Sequence, residues 1–76
     1  MTDVEIEYCV PCGFRERAID VERAILNALE TDLDRVSLVT GDHGVFRVTV
    51  DGEAVYEKSD DDYDVEGIVR QVRERL

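Results

Sequence analysis

At 76 residues the sequence sets one small domain, 1–76, with a thin core. A hydrophobic content of 43% suits a globular protein. The formal net charge of −10 argues against nucleic acid, whose phosphates need Lys and Arg, and against anionic membrane surfaces.

Acids run along the whole chain, and Lys58 is the only lysine among nine basic residues. An ordinary solvated acidic surface is one reading. A halophilic protein is the sharper one, because an acidic surface keeps a protein soluble in concentrated salt that screens its self-repulsion. Met1-Thr2-Asp3-Val4 has no basic stretch followed by an apolar run, so no signal peptide is expected. No apolar stretch approaches the ~20 residues of a membrane helix. The expected location is cytoplasmic, where thiols are kept reduced and a disulfide is transient.

Val4 to Tyr8 alternates apolar and acidic residues, the period of a half-buried strand. Tyr8-Cys9-Val10-Pro11-Cys12-Gly13-Phe14-Arg15 follows. It holds both cysteines, the only proline and a change of hydrophobic period. From Phe14, the residues Ala18, Val21, Ile25, Ala28 and Leu29 recur at helical spacing, with Ile19 and Leu26 widening the stripe, so a helix is predicted from about Phe14 to Glu30. A second strand covers Arg35 to Thr40, with Val36, Leu38 and Val39. Helix one between strands one and two makes them a candidate parallel pair.

Thr40-Gly41-Asp42-His43-Gly44 reads as a turn-rich linker. His43 is either a proton shuttle for the thiols or an exposed loop histidine. Strand three spans Val45 to Val50, and Asp51-Gly52 signals a two-residue hairpin into strand four, Glu53 to Glu57. Val48 is expected opposite Val55, and Arg47 opposite Tyr56. Lys58 to Asp64 reads as a solvated acidic loop; its three adjacent aspartates lack the glycine-centred frame of an EF-hand. Asp64 suits the N-cap of a second helix, Val65 to Leu76, whose apolar stripe is Val65, Ile68, Val69, Val72 and Leu76.

The order β-α-β-β-β-α predicts an α/β (α+β) domain, a four-stranded mixed sheet with two helices on one face, as in thioredoxin-like folds. Two strand orders fit. Either strand three pairs with strand one and the linker crosses over, or strands two and three form a hairpin.

A Cys-x-x-Cys between a strand and a helix reads as a redox motif. A helix start presents N–H groups without intrahelical partners and a partial positive charge, which lowers the pKa of a nearby thiol. Two intervening residues let one sulfur resolve a mixed disulfide formed by the other. Cys9 and Cys12 are therefore the candidate catalytic pair. Val10, Pro11, Gly13 and Arg15 shape the loop around them. Pro11 stiffens it, and Arg15 and Arg17 bring positive charge close to the thiols, or are simply solvated helix residues.

Other uses of the pair stay open. Structural zinc wants four ligands, which one chain with His43 and two cysteines does not supply, though two chains can pool four thiolates. An inert pair packing as small hydrophobes is the third possibility. No cofactor and no resident metal are expected.

Val4-Glu-Ile-Glu-Tyr-Cys-Val-Pro-Cys-Gly-Phe14 resembles the opening of the selenoprotein W-like family, also called Rdx or SelT/SelW/SelH. Gly44-Val-Phe-Arg-Val-Thr-Val-Asp-Gly-Glu-Ala-Val-Tyr-Glu-Lys58 is similar to that family's glycine-aromatic strand and hairpin. The final helix matches in place and length, so the resemblance covers nearly the whole chain. It implies a thioredoxin-like fold and thiol redox chemistry. It also implies that Cys12 stands where some members carry selenocysteine, whereas thioredoxins attack with the first cysteine, which is Cys9 here.

The expected function is a thiol-disulfide oxidoreductase, with Cys9 attacking and protein or small-molecule thiols and disulfides as partners, working as a monomer or weak dimer. The alternative is a binding module: a redox-sensitive protein adaptor or a thiolate metal carrier without turnover.

Overall fold

A computed structural model describes residues 2–58 and 63–76. Strand β1 runs Asp3–Cys9, and its alternation resolves as predicted: Val4, Ile6 and Tyr8 are buried, while Glu5 is exposed and Glu7 half-buried. Helix α1 (Arg15–Leu29) buries Ala18, Val21, Ile25 and Leu29 against that face. Ala28, expected in the stripe, is exposed. It lines an open groove of about 370 Å³ together with Val65, Val69 and Arg73. A 3₁₀ turn at Glu30–Asp32 ends the helix without a glycine.

Strands β2 (Arg35–Gly41), β3 (Phe46–Val50) and β4 (Glu53–Glu57) complete one sheet in the order β2-β1-β3-β4. β1 and β2 are parallel, with Val4 level with Val36 and Cys9 level with Gly41. β3 lies antiparallel to β1, Tyr8 opposite Phe46. Of the two strand orders open to the sequence, the crossover is therefore the one formed. Residues 42–45 pass over the C-terminal end of β1 to join the strands on its two sides.

The hairpin from β3 to β4 turns at Asp51 (φ 52°) and Gly52 (φ 86°), the two left-handed positions of a type I′ turn. Its register differs from expectation. Val48 pairs with Tyr56 and Arg47 with Glu57, because a bulge between Val48 and Thr49 leaves Val55 as the extra residue on β4. The shift buries Tyr56 to 4% exposure and places two opposite charges side by side. Arg47 donates to both Glu57 carboxylate oxygens, at 2.8 and 3.1 Å, and reaches Glu7 at 3.3 Å.

Helix α2 (Val65–Arg73) buries Ile68, Val69 and Val72. It is shorter than predicted, so Leu76 falls past its end and is 46% exposed. Asp64 occupies the N-cap position as expected, with an extended backbone, but its side chain makes no capping hydrogen bond. Asp60, Asp61 and Asp62 of the predicted acidic loop lie outside the described residues. Both helices pack on each other and on the same sheet face, so one continuous core forms between the layers. Among the described residues, no helix is long and apolar enough to cross a membrane.

Candidate functional site

The site begins where β1 runs out of sheet. Cys9 is the last residue of the strand and fully buried. Its amide donates to the Val45 carbonyl at 2.8 Å, and the Val10 amide donates to Gly41 at 3.1 Å. The crossover thus fastens Cys9, and the last residue of β2 fastens Val10. Gly41 makes that close passage feasible: a Cβ there would meet Val45 Cγ1 at 2.9 Å and Glu7 Oε2 at 3.0 Å.

From Cys9 the chain leaves the sheet through a four-residue turn. The Gly13 amide donates to the Val10 carbonyl at 3.2 Å and Phe14 to Cys9 at 3.4 Å. Pro11 takes the second turn position, which its fixed φ favours. Gly13 takes the fourth at φ 77°, a conformation that costs an L-residue. The turn brings the Cα atoms of Cys9 and Cys12 to 5.3 Å, and their sulfurs form a disulfide.

The two cysteines are not equivalent. Cys9 is shielded by strand and linker, whereas Cys12 is exposed, as are Val10 (52%), Pro11 and Gly13. Helix α1 starts directly after, with Phe14 at its N-cap and no side chain capping it. The first intrahelical bond runs from the Ala18 amide to Phe14, so the amides of Arg15, Glu16 and Arg17 open the helix without intrahelical acceptors. A cavity of about 370 Å³ adjoins the loop, lined by Tyr8, Val10, Gly13, Arg15, Glu16 and Thr40.

The predicted loop residues are thus together, and the arginines divide. Arg15 is exposed, reaches Glu16 only at 3.8 Å, and lines the cavity. Arg17 instead stands 5.1 Å from the centroids of both Phe14 and Tyr63, a cation–π sandwich. Phe46 gathers Phe14, Tyr56 and Tyr63 edge-on at 6.0–6.1 Å, so the residue after the redox loop is anchored in an aromatic cluster. Burial pushes the Tyr63 hydroxyl pKa above its ordinary value, Asp20 adds to this, and Arg17 opposes it. His43 lies on the crossover, 89% exposed, with Nδ1 against Asp42.

Sequence reasoning missed the backbone clasp of Gly41 and Val45 on Cys9 and Val10. It depends on strand order, and its one local trace is the glycine at the end of β2. It also missed the Arg17–Tyr63 contact, which joins residues far apart in sequence.

Comparison with known proteins follows the same lines. The family model described as "Rdx family" matches residues 3–74. No curated protein matches the chain. A crystal structure of a protein from Bordetella parapertussis is similar at 27% identity, with TM-score 0.92, over 99% of this chain and 98% of that one. A selenoprotein W-related protein from Vibrio cholerae shares the fold at 20% identity, with TM-score 0.89, over 97% of this chain and 95% of that one.

Proposed function

This chain belongs to the Rdx family, and from that premise we propose that it is a thiol-disulfide oxidoreductase working through Cys9 and Cys12. The observation that carries the reading is the asymmetry of the pair: one cysteine is exposed on a turn, and the other is buried at the end of a strand.

On this reading the labour is divided the other way from the sequence-based expectation that Cys9 attacks first, and the difference in exposure is what supports it. In the dithiol form the Cys12 thiolate attacks a partner disulfide. A Cys12–partner disulfide forms, and the partner's other sulfur leaves as a thiolate and takes a proton. The Cys9 thiolate then attacks Cys12 Sγ, closing Cys9–Cys12 and releasing the partner's second thiol. Two electrons and two protons have passed from the protein to the partner, and an external dithiol must return them. The open amides at the start of α1 favour the Cys12 thiolate. Burial holds Cys9 back from solvent, so it meets only a sulfur delivered to Cys12. On this reading residues 1–76 act as one thioredoxin-like domain in the cytoplasm of a salt-adapted cell.

The test is a redox titration of the purified protein in high salt, counting reduced cysteines by alkylation and mass spectrometry. A two-electron transition between Cys9 and Cys12 within ~−300 to −180 mV supports the reading. Failure to form the disulfide at any potential sinks it.

A further inference from the structure

We propose that the outer edge of β2 receives an extended, uncharged stretch of a partner polypeptide as a fifth strand, which brings the partner's cysteine to Cys12. The cysteine chemistry rests on the oxidoreductase reading; the docking does not.

β2 is an edge strand, bonded to β1 on one side and, among the described residues, to nothing on the other. Edge strands of soluble proteins are usually blunted by charge, proline or a bulge, since an open row of N–H and C=O groups recruits further strands. β2 carries none of these past its first residue. Val36 to Gly41 is free of charge and proline in a chain that is 37% charged, and its pairing with β1 is unbroken from Asp3–Arg35 to Cys9–Gly41. The opposite edge, β4, begins and ends in glutamate.

The second observation is where this bare edge leads. Residues 8–14 form another charge-free run and hold the disulfide. Register places the two runs side by side, Tyr8 level with Thr40 and Cys9 with Gly41. Thr40 lines the same cavity as Val10 and Gly13, with Arg15 and Glu16 of α1 completing the lining. On a chain of net charge −10, two charge-free runs therefore lie side by side between the edge of β2 and the exposed Cys12, bordered at the helix start by the opposite charges of Arg15 and Glu16.

A strand added to β2 gains affinity from backbone hydrogen bonds and is indifferent to most side chains. The charge-free strip favours an uncharged partner segment with β-branched residues. A second copy fits less well, because self-pairing brings together two chains of net −10.

The probe is the peptide Thr-Val-Thr-Val-Cys-Thr-Val-Thr, as its mixed disulfide with 2-mercaptoethanol, offered to the reduced protein. The controls are the same peptide N-methylated on the residues flanking cysteine, and oxidised 2-mercaptoethanol. The unmethylated peptide is expected to exchange about tenfold faster than the methylated one, the factor that one or two net backbone hydrogen bonds supply. Val39→Lys, which charges the edge outside the redox loop, should remove this advantage and leave the rate with oxidised 2-mercaptoethanol unchanged. Docking is read separately with the Ser-for-Cys peptide, which should slow hydrogen exchange at amides within 35–41. Equal rates for both peptides with no slowing in 35–41 overturn the proposal. So does a free dimer that Val39→Lys dissociates. Absence of exchange with every disulfide, with slowing in 35–41 retained, overturns the oxidoreductase reading alone.

Discussion

The amide of Cys9 is hydrogen-bonded to the carbonyl of Val45 at 2.8 Å, so the buried cysteine is held by the segment that crosses over its strand. This contact makes Cys9 part of the sheet rather than of the loop. Cys12, three residues on, belongs to the turn. The distinction shapes what each sulfur can do, and it leads to measurable consequences.

In the reduced protein, alkylation should modify Cys12 first and Cys9 only through local opening of the loop and crossover, since a buried thiol waits for such an opening. Cys9→Ser should retain the attacking thiol and accumulate a stable mixed disulfide at Cys12. Cys12→Ser should lose exchange while remaining folded. Mass mapping of the alkylated and trapped species checks all three, and preferential labelling of Cys9 would reverse the assigned roles.

Gly41→Val should disturb the crossover. The added Cβ would press on Val45 and Glu7, at 2.9 and 3.0 Å, and the branched methyls would add to it. Overpacking of this kind costs about 1–3 kcal/mol. Denaturant unfolding should show that loss, and alkylation of Cys9 should speed up as its cover loosens. Gly13→Ala makes the contrast. Nothing lies within 4 Å of its Cβ position, so only the left-handed backbone is strained, at about 1–2 kcal/mol.

Acid should weaken the sheet through Glu57. The hydrogen bonds and charge of Arg47 hold its carboxyl pKa below the usual carboxylate value, while partial desolvation opposes them. A group whose pKa is lower folded than unfolded contributes stability above its unfolded pKa, and loses it as pH falls through the folded value. Denaturation midpoints should therefore fall below about pH 4.5, the ordinary value for this carboxyl. Glu57→Gln should be less stable than the parent at pH 7, with the gap closing in acid. An unchanged gap would mean that the ion pair carries none of the pH dependence.

Salt should stabilise the protein. Raising ionic strength from about 0.1 M to about 1 M shortens the screening length from ~10 to ~3 Å and removes most repulsion among exposed acids. A gain of about 1 kcal/mol would raise Tm by roughly 4–8 °C in a domain of this size. A flat Tm across that range would contradict the reading of salt adaptation.

Periodicity alone determined the elements. The alternation of Val4, Ile6 and Tyr8 and the helical spacing of Ala18, Val21, Ile25 and Leu29 are properties of the local chain. β1 and α1 bury the faces that their own patterns present, apart from Ala28. The Cys-x-x-Cys, Pro11 and Gly13 likewise announced a redox turn, because turn geometry is set within four residues. Tertiary structure decided the rest. Whether 42–45 would cross over β1 or turn back as a hairpin depended on which strand β3 could pair with, a choice between distant segments that no local pattern encodes. That crossing buries Cys9 and leaves Cys12 exposed. The bulge at Val48 and Thr49 was equally hidden, since sliding Val55 out of register buries Tyr56 and pairs Arg47 with Glu57 only when sheet and helices are assembled together. Local sequence specifies which groups are available, and long-range packing selects which of them meet.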